Sequence, residues 1–114
     1  MSELRPFHLA FPVQNLQLTR DFYVSVLGCG VGRETENWID FNFFGHQITA
    51  HKVDRVTTSS GTNTVDGDPV NVPHFGVVLR KEDWVNLVNR IEKIGLEFQI
   101  RPKTRFEGEV GEQS

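Results

Sequence analysis

The same short pattern occurs twice in this chain, and this repeat constrains the fold more than any other feature. His8 and His74 each begin a stretch in which apolar residues alternate with others, and each stretch is followed by a helical pattern. When His8 is aligned with His74, the glycine after the first helix, Gly28, falls within one residue of Gly95. The order histidine, strand, helix, glycine, strand therefore recurs, which predicts two related β-α units.

Both histidines are followed two positions later by a small residue, Ala10 in the first unit and Gly76 in the second. Alternate side chains of a strand lie on the same face, so each imidazole would stand beside empty space. Hydrophobic periodicity predicts the remaining elements of the first unit. These elements are a strand over residues 7–13, a helix over 19–27, a short strand over 32–35 and a hairpin of strands 38–44 and 47–53.

Residues 54–72 are rich in Thr, Ser, Gly, Asn, Asp and Pro, which predicts a loop between the units. Beyond it, alternation over residues 75–79 predicts a strand, and apolar spacing from Trp84 to Ile94 predicts a helix ended by Gly95. Residues 97–100 resemble the start of another strand. We therefore expect a single domain over 1–114, with unit one at about 5–53, a loop at 54–72 and an incomplete unit two at 73–114.

Composition excludes several classes of function. The net charge is -3, and Lys and Arg are scattered along the chain, so nucleic acid is not expected as a partner. No apolar run approaches the roughly 20 residues that span a bilayer, and the first residues lack a signal-peptide pattern. The one cysteine, Cys29, cannot form an internal disulfide, which agrees with a cytoplasmic protein. Flanked by glycines, Cys29 is a weak candidate for a nucleophile.

Several ordered fragments resemble the vicinal-oxygen-chelate superfamily, the group of glyoxalases, bleomycin-resistance proteins and extradiol dioxygenases. The resemblance implies an α+β fold in which paired βαβββ units form an open, curved mixed sheet around a cleft. Family members continue the second unit with further strands that carry a metal-binding Glu, whereas this chain ends at Ser114. The fragments are His8-Leu-Ala-Phe-Pro-Val, Thr19-Arg-Asp-Phe-Tyr, Val26-Leu-Gly, Phe41-Asn-Phe-Phe-Gly-His, Pro73-His-Phe-Gly and Arg105-Phe-Glu-Gly.

The resemblance implies a metal site. Carried over by position, His8 and His74 are the candidate ligands from the two first strands, and His51 occupies the place where glyoxalase-like members present a Glu. Two histidines and a carboxylate suit iron, manganese, nickel or zinc, and leave positions open for substrate. The structural alternative is that these imidazoles are ordinary hydrogen-bonded histidines. His46, in a turn, is expected to be solvated.

The candidate substrate contacts are Trp38, Asp40 and Arg105. Trp38 and Asp40 share one face of the predicted hairpin with Asn42, and this face lines a cleft or is the solvent side of an ordinary strand. Arg105 lies in a loop that the resemblance places near the mouth of the site. Its alternative role is to keep that loop solvated.

Two specific functions remain open, beside the less specific alternative of a structural or interaction domain. One is a metal-dependent enzyme of the glyoxalase or extradiol dioxygenase type, acting on a small substrate chelated through neighbouring oxygens. The other is a metal-free, antibiotic-sequestering protein of the bleomycin-resistance type, in which the aromatic residues Trp38, Phe43, Phe44 and Trp84 would bind the ligand. In both, the partner is a small molecule, and the resemblance implies a homodimer.

Overall fold

The computed structural model of the protein describes residues 4–56 and 61–103. The chain divides into two units, Met1–Thr57 and Thr58–Ser114. Among the described helices, none combines the length and apolar character that a membrane crossing requires.

Unit 1 is built on a mixed four-stranded sheet. Its strands are β1 (His8–Val13), β2 (Gly30–Glu34), β3 (Trp38–Phe43) and β4 (His46–Lys52), in the spatial order β1-β4-β3-β2. β1 runs parallel to β4, whereas β3 is antiparallel to both β4 and β2. The predicted strand and hairpin are confirmed, and the weakly marked strand at 32–35 is a full strand that begins at Gly30.

A helical segment connects β1 to β2. Its first turn and a half is α1 (Leu16–Arg20), and Asp21–Val26 continue in π-helical hydrogen bonding. The segment begins three residues before the predicted start at Thr19, because the Oδ1 atom of Asn15 accepts a hydrogen bond from the Leu18 N–H at 2.9 Å. Such a cap satisfies a donor that the first turn of a helix leaves unpaired.

The core of unit 1 lies between this helical segment and one face of the sheet. The ring of Tyr23 stacks on Phe41 with centroids 5.0 Å apart and meets Phe43 edge-on at 6.2 Å. Alternation along the strands sends the apolar side chains to this face, as the period of two requires. The buried apolar residues of the unit are Cys29, Ile39, Phe41, Phe43, Ile48 and Ala50.

Unit 2 begins with a hairpin, and this corrects the prediction of a loop over 54–72. β5 (Gly61–Val65) pairs in antiparallel fashion with β6 (Asp68–Val72). The turn is formed by Asp66 and Gly67, which both have positive φ, at 48° and 83°. An Asp-Gly pair is the usual signal of such a turn. The prediction missed it because the strands are polar and largely exposed, without alternation to mark them.

The helix of unit 2, α2 (Lys81–Ile94), is confirmed, and it ends at Gly95 in the left-handed conformation with φ 90°. The strands predicted at 75–79 and 97–100 do not form. In the described part of unit 2, no strand pairs with either segment, and an extended segment without a partner leaves its backbone groups to water. Phe98 and Ile100 line a groove of about 320 Å³ together with the apolar face of α2.

Candidate functional site

The face of the unit 1 sheet opposite α1, here called the helix-free face, carries most of the predicted site residues. The register of β1, β4, β3 and β2 arranges their side chains in rows across the sheet, because directly paired residues lie on the same face. The rows are His8, Gln47, Asn42 and Gly30; Ala10, Thr49, Asp40 and Gly32; and Pro12, His51 and Trp38.

The side chains of the middle row are shorter than most of those in the two rows beside it. Ala10 and Gly32 contribute almost no side chain, and a Cβ atom added to Gly32 would lie 3.4 Å from the Cβ of Asp40. Thr49 donates its hydroxyl proton to Asp40 Oδ1 at 2.6 Å. Asp40 is only 8% exposed and Thr49 only 4%. A carboxylate so placed is held in one orientation by a charge-assisted hydrogen bond.

A groove of about 370 Å³ opens at this face, and Asp40 is one of its lining residues. Asp40 therefore lies beside a groove, and its contact with a substrate stays a prediction. The sequence analysis did not predict Gly32, Arg33 or Gln47 as lining residues of a groove, because no hydrophobic pattern or motif marks these positions. The lining residues are Pro6, Gly32, Arg33, Asp40, Phe41, Asn42, Gly45, His46 and Gln47.

Two of the predicted metal ligands, His8 and His51, lie on the helix-free face but at different ends of it. His8 pairs with Gln47 and Pro12 pairs with His51, so four residues of β4 separate the two rows. At about 3.3 Å per residue this is roughly 13 Å along the strand. The two backbone positions are therefore far apart on this face, and the joint binding of one ion by His8 and His51 stays a prediction.

His46 is half-buried, whereas the sequence predicted a solvated turn residue. Its Nδ1 atom accepts a hydrogen bond from the backbone N–H of Phe7 at 3.0 Å. Its ring also packs against the Phe7 ring, with the centroids 4.5 Å apart. His46 therefore fixes the chain before β1, which explains its half-buried position without a role in binding.

His74 lies in unit 2, directly before the irregular segment that leads to α2. Its Nδ1 atom is 2.6 Å from the backbone oxygen of Asn71. Because a carbonyl oxygen only accepts, Nδ1 is the donor in this contact, and in the neutral ring the lone pair is then on Nε2. The residue is exposed. Arg105 lies outside the described residues.

Within the described ranges, no group of three or more His, Cys, Asp or Glu side chains is gathered to hold a metal ion. Cys29 is buried, and burial raises the pKa of its thiol above the ordinary value. Burial, and then the neighbouring Cys29, likewise raise the pKa of Tyr23. A thiol that resists ionisation is a poor nucleophile, so the weak candidacy of Cys29 gains no support.

Among the three unit 1 aromatic residues considered for a ligand-binding surface, Phe43 and Phe44 meet edge-on with ring centroids 5.0 Å apart, and Trp38 does not share the face of Phe43. Trp38 stands on the helix-free face, whereas Phe43 is buried on the opposite face against Tyr23. Phe44 occupies the turn between β3 and β4, with φ 50°. Trp84 belongs to α2 in unit 2. Of the three in unit 1, Trp38 shares the helix-free face with the groove-lining Asp40.

Comparison with known proteins places this geometry in a family. A family model described as the Glyoxalase/Bleomycin resistance protein/Dioxygenase superfamily matches residues 5–111. A glyoxalase/bleomycin resistance protein/dioxygenase from Alicyclobacillus acidocaldarius is 35% identical, with a TM-score of 0.73 and coverage of 95% of this chain and 76% of that one. A comparison with curated proteins found no match.

Two further solved structures are similar in fold alone. The fosfomycin resistance protein FosX from Listeria monocytogenes is 18% identical, covering 90% of this chain and 74% of its own, with a TM-score of 0.63. An integron cassette protein from the Halifax Harbour sewage outfall metagenome is 19% identical over 80% of this chain and 71% of its own, with a TM-score of 0.60. With a family model over residues 5–111 and a structure 35% identical over 95% of the chain, the protein belongs to the glyoxalase/bleomycin resistance protein/dioxygenase superfamily.

Proposed function

We propose that the protein is a metal-dependent enzyme of the glyoxalase or extradiol dioxygenase type, acting on a small substrate held through two neighbouring oxygen atoms. The observation that supports this most is the hydrogen bond from His74 Nδ1–H to the Asn71 carbonyl. In the neutral ring of this exposed residue, the contact leaves the lone pair on Nε2. Metal-binding histidines are commonly oriented in this way, by a hydrogen bond from the other ring nitrogen to a backbone carbonyl or carboxylate.

His8 is the second proposed ligand. It is exposed on the helix-free face, and its side chain makes no hydrogen bond or ion pair with a described residue of unit 1. Ala10, in the neighbouring row, leaves the space beside it empty. His51 is not included in this pair because the register places it at the other end of the face. Iron, manganese, nickel and zinc all accept imidazole ligands.

The residues of the groove supply what the substrate needs apart from the metal. A bound divalent cation would hold the two oxygens and stabilise the negative charge that develops on them. Asp40, oriented by Thr49, accepts a hydrogen bond from a substrate hydroxyl. Trp38 forms an apolar wall at the neighbouring row. The contact predicted for Arg105 remains part of the proposal.

The test is a complete histidine scan, because the chain has only four histidines. The full chain and its His8→Ala, His46→Ala, His51→Ala and His74→Ala variants would be purified without chelator, and their metal content measured by elemental analysis. We expect nearly stoichiometric metal in the wild type, its loss on changing His8 or His74, and its retention on changing His46. Retention in His51→Ala would confirm that His51 is no ligand.

The proposal would be overturned if the wild type took up no metal after anaerobic reconstitution with iron, manganese, nickel and zinc. Retention of metal in both His8→Ala and His74→Ala would also overturn it. If metal is bound, catechols and adducts of 2-oxoaldehydes are the substrates to screen, since both present neighbouring oxygens. Turnover that is lost with chelator and restored with metal would identify the reaction class.

The alternative function is a metal-free protein that sequesters a small molecule, as in the bleomycin-resistance branch. One observation favours it: the aromatic ring of Trp38 lies on the face where the groove opens, in contact with the groove-lining Arg33. This function predicts stoichiometric ligand binding that chelator does not change and that is not followed by turnover. It also predicts that Trp38→Ala weakens binding more than His8→Ala does.

The assembly and location of the protein belong to the same proposal. Family membership leads us to expect a homodimer in the cytoplasm, with a small molecule and neither nucleic acid nor membrane as partner. Light scattering during size-exclusion chromatography measures the mass directly. A monomeric mass at micromolar concentration would contradict the dimer.

A further inference from the structure

An irregularity in β2 turns a positively charged side chain toward the groove. The register shifts between Val31 and Glu34, so that Gly32 and Arg33 both lie opposite the single residue Asp40. Such a β-bulge adds one residue to a strand and re-aims its side chains, and bulges are common beside active sites. Without the bulge, strict alternation would send Arg33 to the helix side of the sheet.

The contacts on the two sides of the sheet agree with this arrangement. Glu34 forms an ion pair with Arg20 of α1, so it lies on the helix side. The Cζ atom of Arg33 lies 5.9 Å from the centre of the Trp38 ring, on the helix-free side. Arg33 also lines the groove together with Asp40. The cation–π contact holds the guanidinium in place, which lowers the entropy lost when a ligand binds to it.

Arg33 has no carboxylate partner among the described residues, although other arginines do. Arg20 pairs with Glu34, and Arg80 lies within 4 Å of two carboxylates. Asp40 lies opposite Arg33 across the bulge but forms no ion pair with it, and its Oδ1 atom accepts a hydrogen bond from the Thr49 hydroxyl. The groove therefore presents a held guanidinium whose donors are available to a ligand, beside a carboxylate already oriented.

We propose that Arg33 is a specificity-determining residue, and that it binds a carboxylate group of the substrate. A guanidinium donates two parallel hydrogen bonds to a carboxylate, a geometry that lysine cannot reproduce. Asp40 then accepts a hydrogen bond from a hydroxyl of the same molecule. The substrate class is thus a small hydroxycarboxylate. This inference rests on the proposed function only in using the same groove, and it needs no metal.

The test compares two ligands of equal shape and different charge, mandelate and mandelamide. Each would be titrated into the isotopically labelled full chain in the presence of chelator, and binding followed by amide NMR shifts. We expect mandelate to bind roughly five- to tenfold more tightly, as a charge-assisted hydrogen bond at a partly exposed site implies. Arg33→Gln should abolish the preference, and Arg33→Lys should reduce it.

Arg55→Gln is the matched control, because Arg55 is an exposed arginine of the same unit that does not line the groove. It should keep the preference for mandelate, and unchanged amide spectra outside the groove show that each variant is folded. Equal binding of the two ligands, no binding of either, or a preference that survives in Arg33→Gln would overturn the proposal. Because chelator is present throughout, failure here leaves the metal test of His8 and His74 untouched.

Discussion

The hydrogen bond between Thr49 and Asp40 gives a stability prediction that can be worked out from the structure. Thr49→Val keeps a β-branched side chain of similar volume, but it removes the hydroxyl that donates to Asp40 at 2.6 Å. A hydrogen bond to a charged group contributes about 1.5–3 kcal/mol to folding. Since Asp40 is 8% exposed, some water still reaches the carboxylate in the variant. We therefore expect the free energy of unfolding to fall by about 2 kcal/mol.

A double-mutant cycle separates this interaction from the other effects of each substitution. Urea unfolding would be followed by tryptophan fluorescence in a Trp84→Phe background, so that Trp38 alone reports on unit 1. Asp40→Ala, Thr49→Val and the double variant should give a coupling energy of about 1.5–2 kcal/mol. Thr35→Val is the control: its Oγ1 accepts the Asn37 N–H at 3.0 Å at an exposed site, and it should cost about 0.5 kcal/mol.

A coupling energy below about 0.5 kcal/mol would refute the reasoning, because the pair would then behave as an exposed one. So would an equal loss of stability in Thr49→Val and Thr35→Val. The cycle also bears on the groove, since Asp40 without its donor loses its fixed orientation. Thr49→Val should therefore weaken mandelate binding, whereas Thr35→Val should not.

Three further predictions follow from the core and the helix end. Phe41→Ala removes a side chain that is 1% exposed and should lower the free energy of unfolding by about 3–5 kcal/mol in urea titrations. Gly95→Ala places a side chain at φ 90° and should cost about 1–2 kcal/mol, seen as loss of helical circular dichroism at lower temperature. Because the pKa values of Cys29 and Tyr23 are raised, the folded chain keeps protons that the unfolded chain releases. Stability should therefore be full below the ordinary pKa of a thiol and fall as pH rises above about 8.5. Urea midpoints measured through the alkaline range check this, Cys29→Ala should remove the first part of the fall, and a constant midpoint would contradict it.

Local patterns predicted much of the fold. The alternation of β1, β3 and β4 reflects which side chains must leave water, and this is a property of neighbouring residues. Gly95 ends its helix because few other residues accept a left-handed backbone, which is also a local requirement. The Asp66-Gly67 turn was equally local, and it was missed only because the strands on either side are polar. The ordered fragments that resemble the family include His8, which begins β1, and His74, which lies outside the strands that form.

Tertiary structure decided the composition of the candidate site. The separation of His51 from His8 follows from the register of β1 on β4, which links residues distant in the chain. The bulge that places Arg33 opposite Asp40 follows from the pairing of β2 with β3, and no sequence pattern within β2 predicts it. The strand predicted at 75–79 does not form because no described strand of unit 2 pairs with it. A strand is stabilised by its partner, so its existence and its register depend on contacts that the local sequence does not contain.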